Sequence, residues 1–191
     1  MRRVLGYEVS PHDNGSFFYA GPGSAPACAR CGLVTDERWV DPGYAGPTRH
    51  RDLGFTYDGA TIATDQFLEF VGDESGLDAI ALPAAAGHSL VVASRHLPFD
   101  VDRAETRLTD PCDDCGRATQ IAGGHLDGLV ANGPVPPGFH RSDQVFGSAA
   151  VPGGRAVAQF PIWVVDVDLA QRLADSDLVG FHLEPYEAPE D

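Results

Sequence analysis

The sequence contains no lysine: its 13 basic residues are all arginine, set against 28 acids, for a net charge of −15. The bias to arginine reflects genome composition before function, but the charge balance is informative. Residues 1–50 hold five arginines and five acids, so the whole net charge lies between Arg51 and Asp191, where 8 arginines face 23 acids. Such a surface repels phosphate backbones and attracts basic proteins by long-range steering. Nucleic acid is therefore not an expected partner; plain solubility is the bland alternative explanation of the charge.

Long hydrophobic runs are also missing. No stretch approaches the ~18 consecutive apolar residues of a membrane span, and no membrane association is expected. The start, Met1-Arg2-Arg3-Val4-Leu5-Gly6-Tyr7-Glu8, reaches a charge before any apolar region forms. It does not read as a signal peptide, and a cytoplasmic location is expected. Motifs of catalysis are absent too: there is no Gly-x-Ser-x-Gly, no His-Glu-x-x-His and no phosphate loop. The seven histidines are scattered. An enzyme is not expected.

Cysteine is scarce but ordered. All four occur in two Cys-x-x-Cys-Gly turns, Cys28-Ala29-Arg30-Cys31-Gly32 and Cys112-Asp113-Asp114-Cys115-Gly116. Two intervening residues let both sulfurs face one point, and the glycine admits backbone there without a Cβ clash. Zinc takes four thiolates in a tetrahedron, so the expectation is one shared structural Zn²⁺ held by Cys28, Cys31, Cys112 and Cys115. Closing a loop of this length costs roughly 4 kcal/mol, whereas a structural zinc contributes about 10 to 16 kcal/mol. The metal term wins.

The competing readings are a redox pair, two separate sites and metal-free knuckles. A thioredoxin-like pair wants a strand before Cys28 and a helix starting at it, but Gly23, Pro26 and Gly32 hold that region in turns. Separate sites would need nearby histidines, and none lies within nine residues of either pair. A catalytic zinc ranks last, because four sulfurs leave no open position. Asp113 and Asp114 read as exposed turn residues, with Arg117 offsetting charge near the thiolates.

The 22 glycines and 15 prolines imply many turns between short elements. Expected strands are Val4 to Val9, Phe17 to Tyr19, Leu33 to Thr35, Thr61 to Ala63, Leu77 to Leu82, Ser89 to Ala93 and Leu178 to Leu183. Ser10 to Gly15 reads as a loop and Gly21-Pro22-Gly23 as a turn. Two short helices are expected. Thr64 or Asp65 caps one carrying Phe67, Leu68, Phe70 and Val71, and Asp166 caps another with Leu169, Ala170 and Leu173 as its apolar stripe. Ile121 to Val130 admits a short helix that its glycines weaken.

The two halves of the chain run in parallel. Each has a Cys-x-x-Cys-Gly turn, then a Phe-containing segment, then a capped helix and a strand. With Asp65 laid on Asp166, Leu77 falls on Leu178 and Leu82 on Leu183 without a gap. The expected architecture is α+β and β-rich: one compact domain over 1–191, made of related halves of approximately 1–95 and 96–191, each with one knuckle and one short helix.

These residues resemble the double-CXXCG motif proteins, which include immunity proteins guarding myxobacterial-type cells against toxins passed between kin. The resemblance rests on the two cysteine turns and on the ending. That ending comprises His140 to Gly147, then Val164-Val165 with the capped helix, then Leu178-Val179-Gly180-Phe181-His182-Leu183-Glu184-Pro185. It does not extend to residues 40–60 and 84–110. The resemblance implies a non-catalytic, zinc-stabilised inhibitor of a cognate protein toxin, a basic nuclease being the type that the charge suits. A zinc-containing accessory protein for another basic partner is the alternative. The acidic helix ends Asp73, Glu74, Asp175 and Asp177 are candidate contacts, with simple solvated termini as their bland reading.

Overall fold

The computed structural model describes residues 3–21, 25–109, 111–149 and 154–188. Its strands are β1 (Val4–Asp13), β2 (Leu53–Phe55), β3 (Thr61–Thr64), β4 (Leu77–Ala81), β5 (His88–Ala93), β6 (His96–Leu97), β7 (Arg107–Leu108), β8 (Gln120–Ala122), β9 (Phe139–Ser148), β10 (Phe160–Val165) and β11 (Phe181–Glu187). Helix α1 spans Asp65–Val71 and α2 spans Val167–Ala174. The sheet runs β4-β5-β3-β2-β1-β10-β9-β8-β7, with β11 also on β1 and β6 on β9. The fold is α+β and β-rich.

Strand alternation divides the core. In β3, Ala63 faces one side with Val91 and Ala93 of β5, while Ile62 faces the other with Leu90. In β10, Trp163 and Val165 share the first side, and Ile162 and Val164 the opposite one. Both helices cover the first side through Phe67, Val71, Leu169, Ala170 and Leu173. Loops close the second side, around Phe18, Tyr19 and Tyr44 at one end and around Leu129 and Val135, against Phe146 of β9, at the other. Central strands buried on both faces read as continuous apolar runs, as in Ile162 to Val165 of β10.

Each helix has a side-chain cap. The Thr64 hydroxyl accepts from the Phe67 N–H, and the Asp166 carboxylate accepts from those of Asp168 and Leu169. Such a cap contributes about 1 kcal/mol. Because Thr64 and Asp166 are the caps, laying Asp65 on Asp166 is out by one residue. Arg172 fastens the helices together, donating to the Phe70 carbonyl at 2.8 Å with its guanidinium over the Phe70 ring.

The two helices sit in the same topological setting. Helix α1 joins β3 to β4, which flank the antiparallel β5. Helix α2 joins β10 to β11, which flank the antiparallel β1. The strands differ in position, however. The expected strand Leu178 to Leu183 starts only at Phe181 and continues through Pro185 to Glu187, because Val179 is taken up by Asp52 and Gly180 by His12.

Other local expectations change for similar reasons. Strand β1 continues through the supposed loop to Asp13, since β11 pairs with it up to Pro11 and β2 pairs with His12 and Asp13. Phe17 to Tyr19 is not a strand: the carboxylate of buried Asp58 accepts the N–H groups of Phe18 and Tyr19, both at 2.8 Å. Leu33 and Val34 form only isolated bridges, to Val157 and Ala27. Ile121 to Val130 is no α-helix but β8 followed by a 3₁₀ turn at Leu126–Gly128. The ten-residue β9 is a further strand that periodicity did not mark. Pro22 and Gly23 of the expected turn lie outside the described residues.

Candidate metal centre

The two cysteine turns are built alike. In the first, Gly32 N–H donates to the Cys28 carbonyl at 2.8 Å and Cys28 N–H to that of Leu33 at 2.9 Å. In the second, Gly116 donates to Cys112 at 2.8 Å and Cys112 to Arg117 at 2.9 Å. Gly32 and Gly116 have φ of 70° and 72°, left-handed values that explain why glycine follows each pair. Antiparallel bridges close both turns, Ala27 with Val34 and Pro111 with Ala118.

The sheet then brings the turns together. Val157, on the segment that leads into β10, donates to the Gly32 carbonyl at 3.1 Å and accepts from the Val34 N–H at 2.9 Å, and Ala149 at the end of β9 donates to the Thr119 carbonyl at 2.6 Å. Adjacent strands β9 and β10 thus hold one turn each. Leu33, fully buried, packs with Cys31 and Cys112 between them. Arg117 reaches across from the second turn and donates to the Val34 carbonyl of the first at 2.8 Å.

All four Sγ atoms lie within 4.8 Å of one another. Cys28 is 3.8 Å from Cys112 and Cys31 is 3.7 Å from Cys115. Disulfides require ~2.05 Å between sulfurs, so these are free thiols. A tetrahedral zinc with ~2.3 Å bonds to sulfur has edges of ~3.8 Å. The separations therefore fit one structural Zn²⁺, with each short pair drawn from both turns.

The thiols are unequal without a cation. Backbone N–H groups of Cys31 and Arg30 lower Cys28 to about 7, whereas burial pushes Cys31 up to about 12. A bound divalent cation removes this difference, because coordinating thiols are deprotonated outright. With four sulfurs around one point, the arrangement has the donor set of a closed site rather than that of a water-activating one.

Asp113 and Asp114 are exposed, as the turn reading expects, but they are not idle. Arg30 of the first turn lies 2.6 Å from Asp113 and 3.8 Å from Asp114 of the second. Sequence reasoning missed this pair, although the opposite charges between the cysteines were its signal. Of the candidate contact residues, Asp73 and Glu74 lie on the 3₁₀ turn after α1, Asp175 caps the end of α2, and Asp177 follows it. All four are exposed, and the Gln171 amide donates to Asp175 at 3.0 Å. Among the described residues no helix is long and apolar enough to cross a membrane.

Comparison of the chain with family models, with curated proteins and with solved structures gives no match.

Proposed function

We propose that the protein is a non-catalytic, zinc-stabilised immunity protein that binds and neutralises a cognate basic protein toxin in the cytoplasm. The observation that carries the reading is the closed set of four thiols tying two distant chain segments. Its donor set suits folding rather than turnover, which leaves function to the surfaces that it fixes. Two further features support it. The chain carries a net charge of −15, suited to fast capture of a basic partner. The cysteine turns and the ending resemble the double-CXXCG motif proteins, and the shared setting of α1 and α2 accords with related halves.

Co-expression with the products of neighbouring genes tests the proposal. Rescue of growth from one toxic neighbour, with a stoichiometric complex on purification, is the expected result. Absence of rescue from every toxic neighbour would replace it with the accessory-protein reading.

A further inference from the structure

The face of β1 turned away from the helices carries a groove of about 510 Å³. Tyr7 and Val9 pack toward the helices, so the alternate residues Glu8 and Ser10 point the other way. Phe55 and Phe160, in edge contact at 5.0 Å, line one part of the groove; Phe146, braced by Phe99 at 5.1 Å, lines another. The lining is mostly apolar and, among the described residues, contains no arginine and has Glu8 as its one charged side chain. Phe160 remains 41% exposed, so the apolar surface is open to a visitor.

Glu8 is short of partners. The Ser10 hydroxyl donates to it at 2.9 Å, and among the described residues it forms no ion pair. Directly opposite it on β11 stands Glu184. Like charges opposed across an antiparallel pair repel, and among the described residues His182 on the same strand is the one neighbour that pulls the Glu8 carboxyl down electrostatically. Burial raises the Glu8 carboxyl above the usual carboxylate range, with Glu184 adding to the rise. A cation placed there would relieve both effects, and an apolar stem attached to it would cover the aromatic lining.

We propose that this groove docks an arginine or lysine side chain of the partner protein, with its aliphatic stem against Phe160 and Phe146 and its cationic head on Glu8. The assignment rests on the reading of the protein as a binder of a basic partner, and it places the contact on β1 rather than at the helix ends. A charge-assisted hydrogen bond on a partly desolvated carboxylate supplies selectivity, and the stem supplies apolar contact.

The test titrates the full-length zinc-loaded protein with hexylammonium, hexanol and hexanoate while backbone amide resonances are followed by NMR. Hexylammonium is expected to shift Glu8, Phe160 and Phe146 saturably, about tenfold more tightly than hexanol, with hexanoate weakest. Glu8→Gln should erase the preference for the cation while keeping the thermal midpoint, since it removes a carboxylate that burial disfavours. Equal binding of hexylammonium and hexanol, or an unchanged preference in Glu8→Gln, would overturn the proposal. So would self-association that shifts the same residues, which would make a second copy the occupant. A captured basic partner bound equally well by Glu8→Gln would overturn the groove but not the binding reading. Selective uptake of hexylammonium with no basic protein captured would sustain the groove and sink that reading.

Discussion

Arg30 and Asp113, each lying between the cysteines of its own turn, meet at 2.6 Å across the four-thiol cluster. Their side chains are 58% and 72% exposed, so solvent screens the pair. Asp113→Asn is expected to cost less than about 1 kcal/mol and to leave the metal content unchanged. Chemical denaturation with parallel metal analysis checks this. A large loss would mean that the ion pair, not the thiols, joins the turns.

Cys28→Ser should behave very differently. It removes one ligand from a site whose short sulfur contact is with Cys112 of the other turn. Purified wild-type protein is expected to carry about one zinc per chain and to lose stability in chelator. The variant should lose the metal and more than about 4 kcal/mol. Hydrogen exchange should quicken near Leu33 and near Thr119 together, since both turns depend on one site. Two zincs per chain, or full stability in chelator, would contradict the shared site.

The Arg141 side chain is 7% exposed, and its Nη1 donates to both carboxylate oxygens of half-exposed Glu37, at 2.7 and 2.8 Å. Glu37→Ala strands a buried charge and should destabilise by about 2 to 4 kcal/mol, the upper range being tempered by the exposure of Glu37. The double variant Arg141→Met with Glu37→Ala should recover most of that loss, because replacing a buried pair by apolar groups is often neutral. A double-mutant cycle in urea measures the difference.

Asp58 stands in for a missing strand partner. Asp58→Ala would leave the Phe18 and Tyr19 N–H groups without their acceptor, and would leave the Thr56 hydroxyl only the Ala60 carbonyl at 3.1 Å. The expected cost is about 3 kcal/mol or more. Near-ultraviolet circular dichroism should register loosening around Tyr19, which stacks on Trp39. A change below about 1 kcal/mol would show that water replaces the carboxylate readily.

His140 gives the fold a pH dependence of definite sign. Burial lowers its pKa, with Arg95 adding to the effect while the Pro136 and Pro137 carbonyls and Asp166 oppose it. Nε2 lies 3.0 Å from the Pro136 carbonyl, and Nδ1 is buried without a partner, so a second proton there would have no acceptor. The unfolded chain binds that proton near pH 6.5, the folded chain only below it. The contribution is therefore complete above pH 6.5 and lost as pH falls through that value toward the folded pKa. Thermal midpoints compared between pH 8 and pH 5.5 should fall further for wild type than for His140→Gln. An equal fall would assign the dependence to other groups.

The cysteine turns, the helices and strands β1, β3, β4 and β5 were readable because each depends on short-range chemistry. A cap such as Thr64 or Asp166, the apolar spacing of Phe67 and Val71, and the continuous run of β5 are written within a few residues. The elements that changed depend on partners far along the chain. His12 and Asp13 become strand because β2 and Gly180 arrive beside them. Phe18 and Tyr19 lose strand character to a carboxylate 40 and 39 positions away. Arg141 gave no sign in the sequence that Glu37 would be its partner.

Residue identity and spacing alone were enough for the four candidate thiols, the net charge and the two capped helices, since they decide which groups can bind metal or begin a helix. Only the tertiary structure decided that sulfurs 84 residues apart meet at 3.7 and 3.8 Å. It likewise decided that β1 runs between β10 and β11, and that Glu8 faces an open aromatic groove. These are consequences of which strands pair, and strand pairing selects among distant segments by packing and hydrogen-bond register that no local window contains.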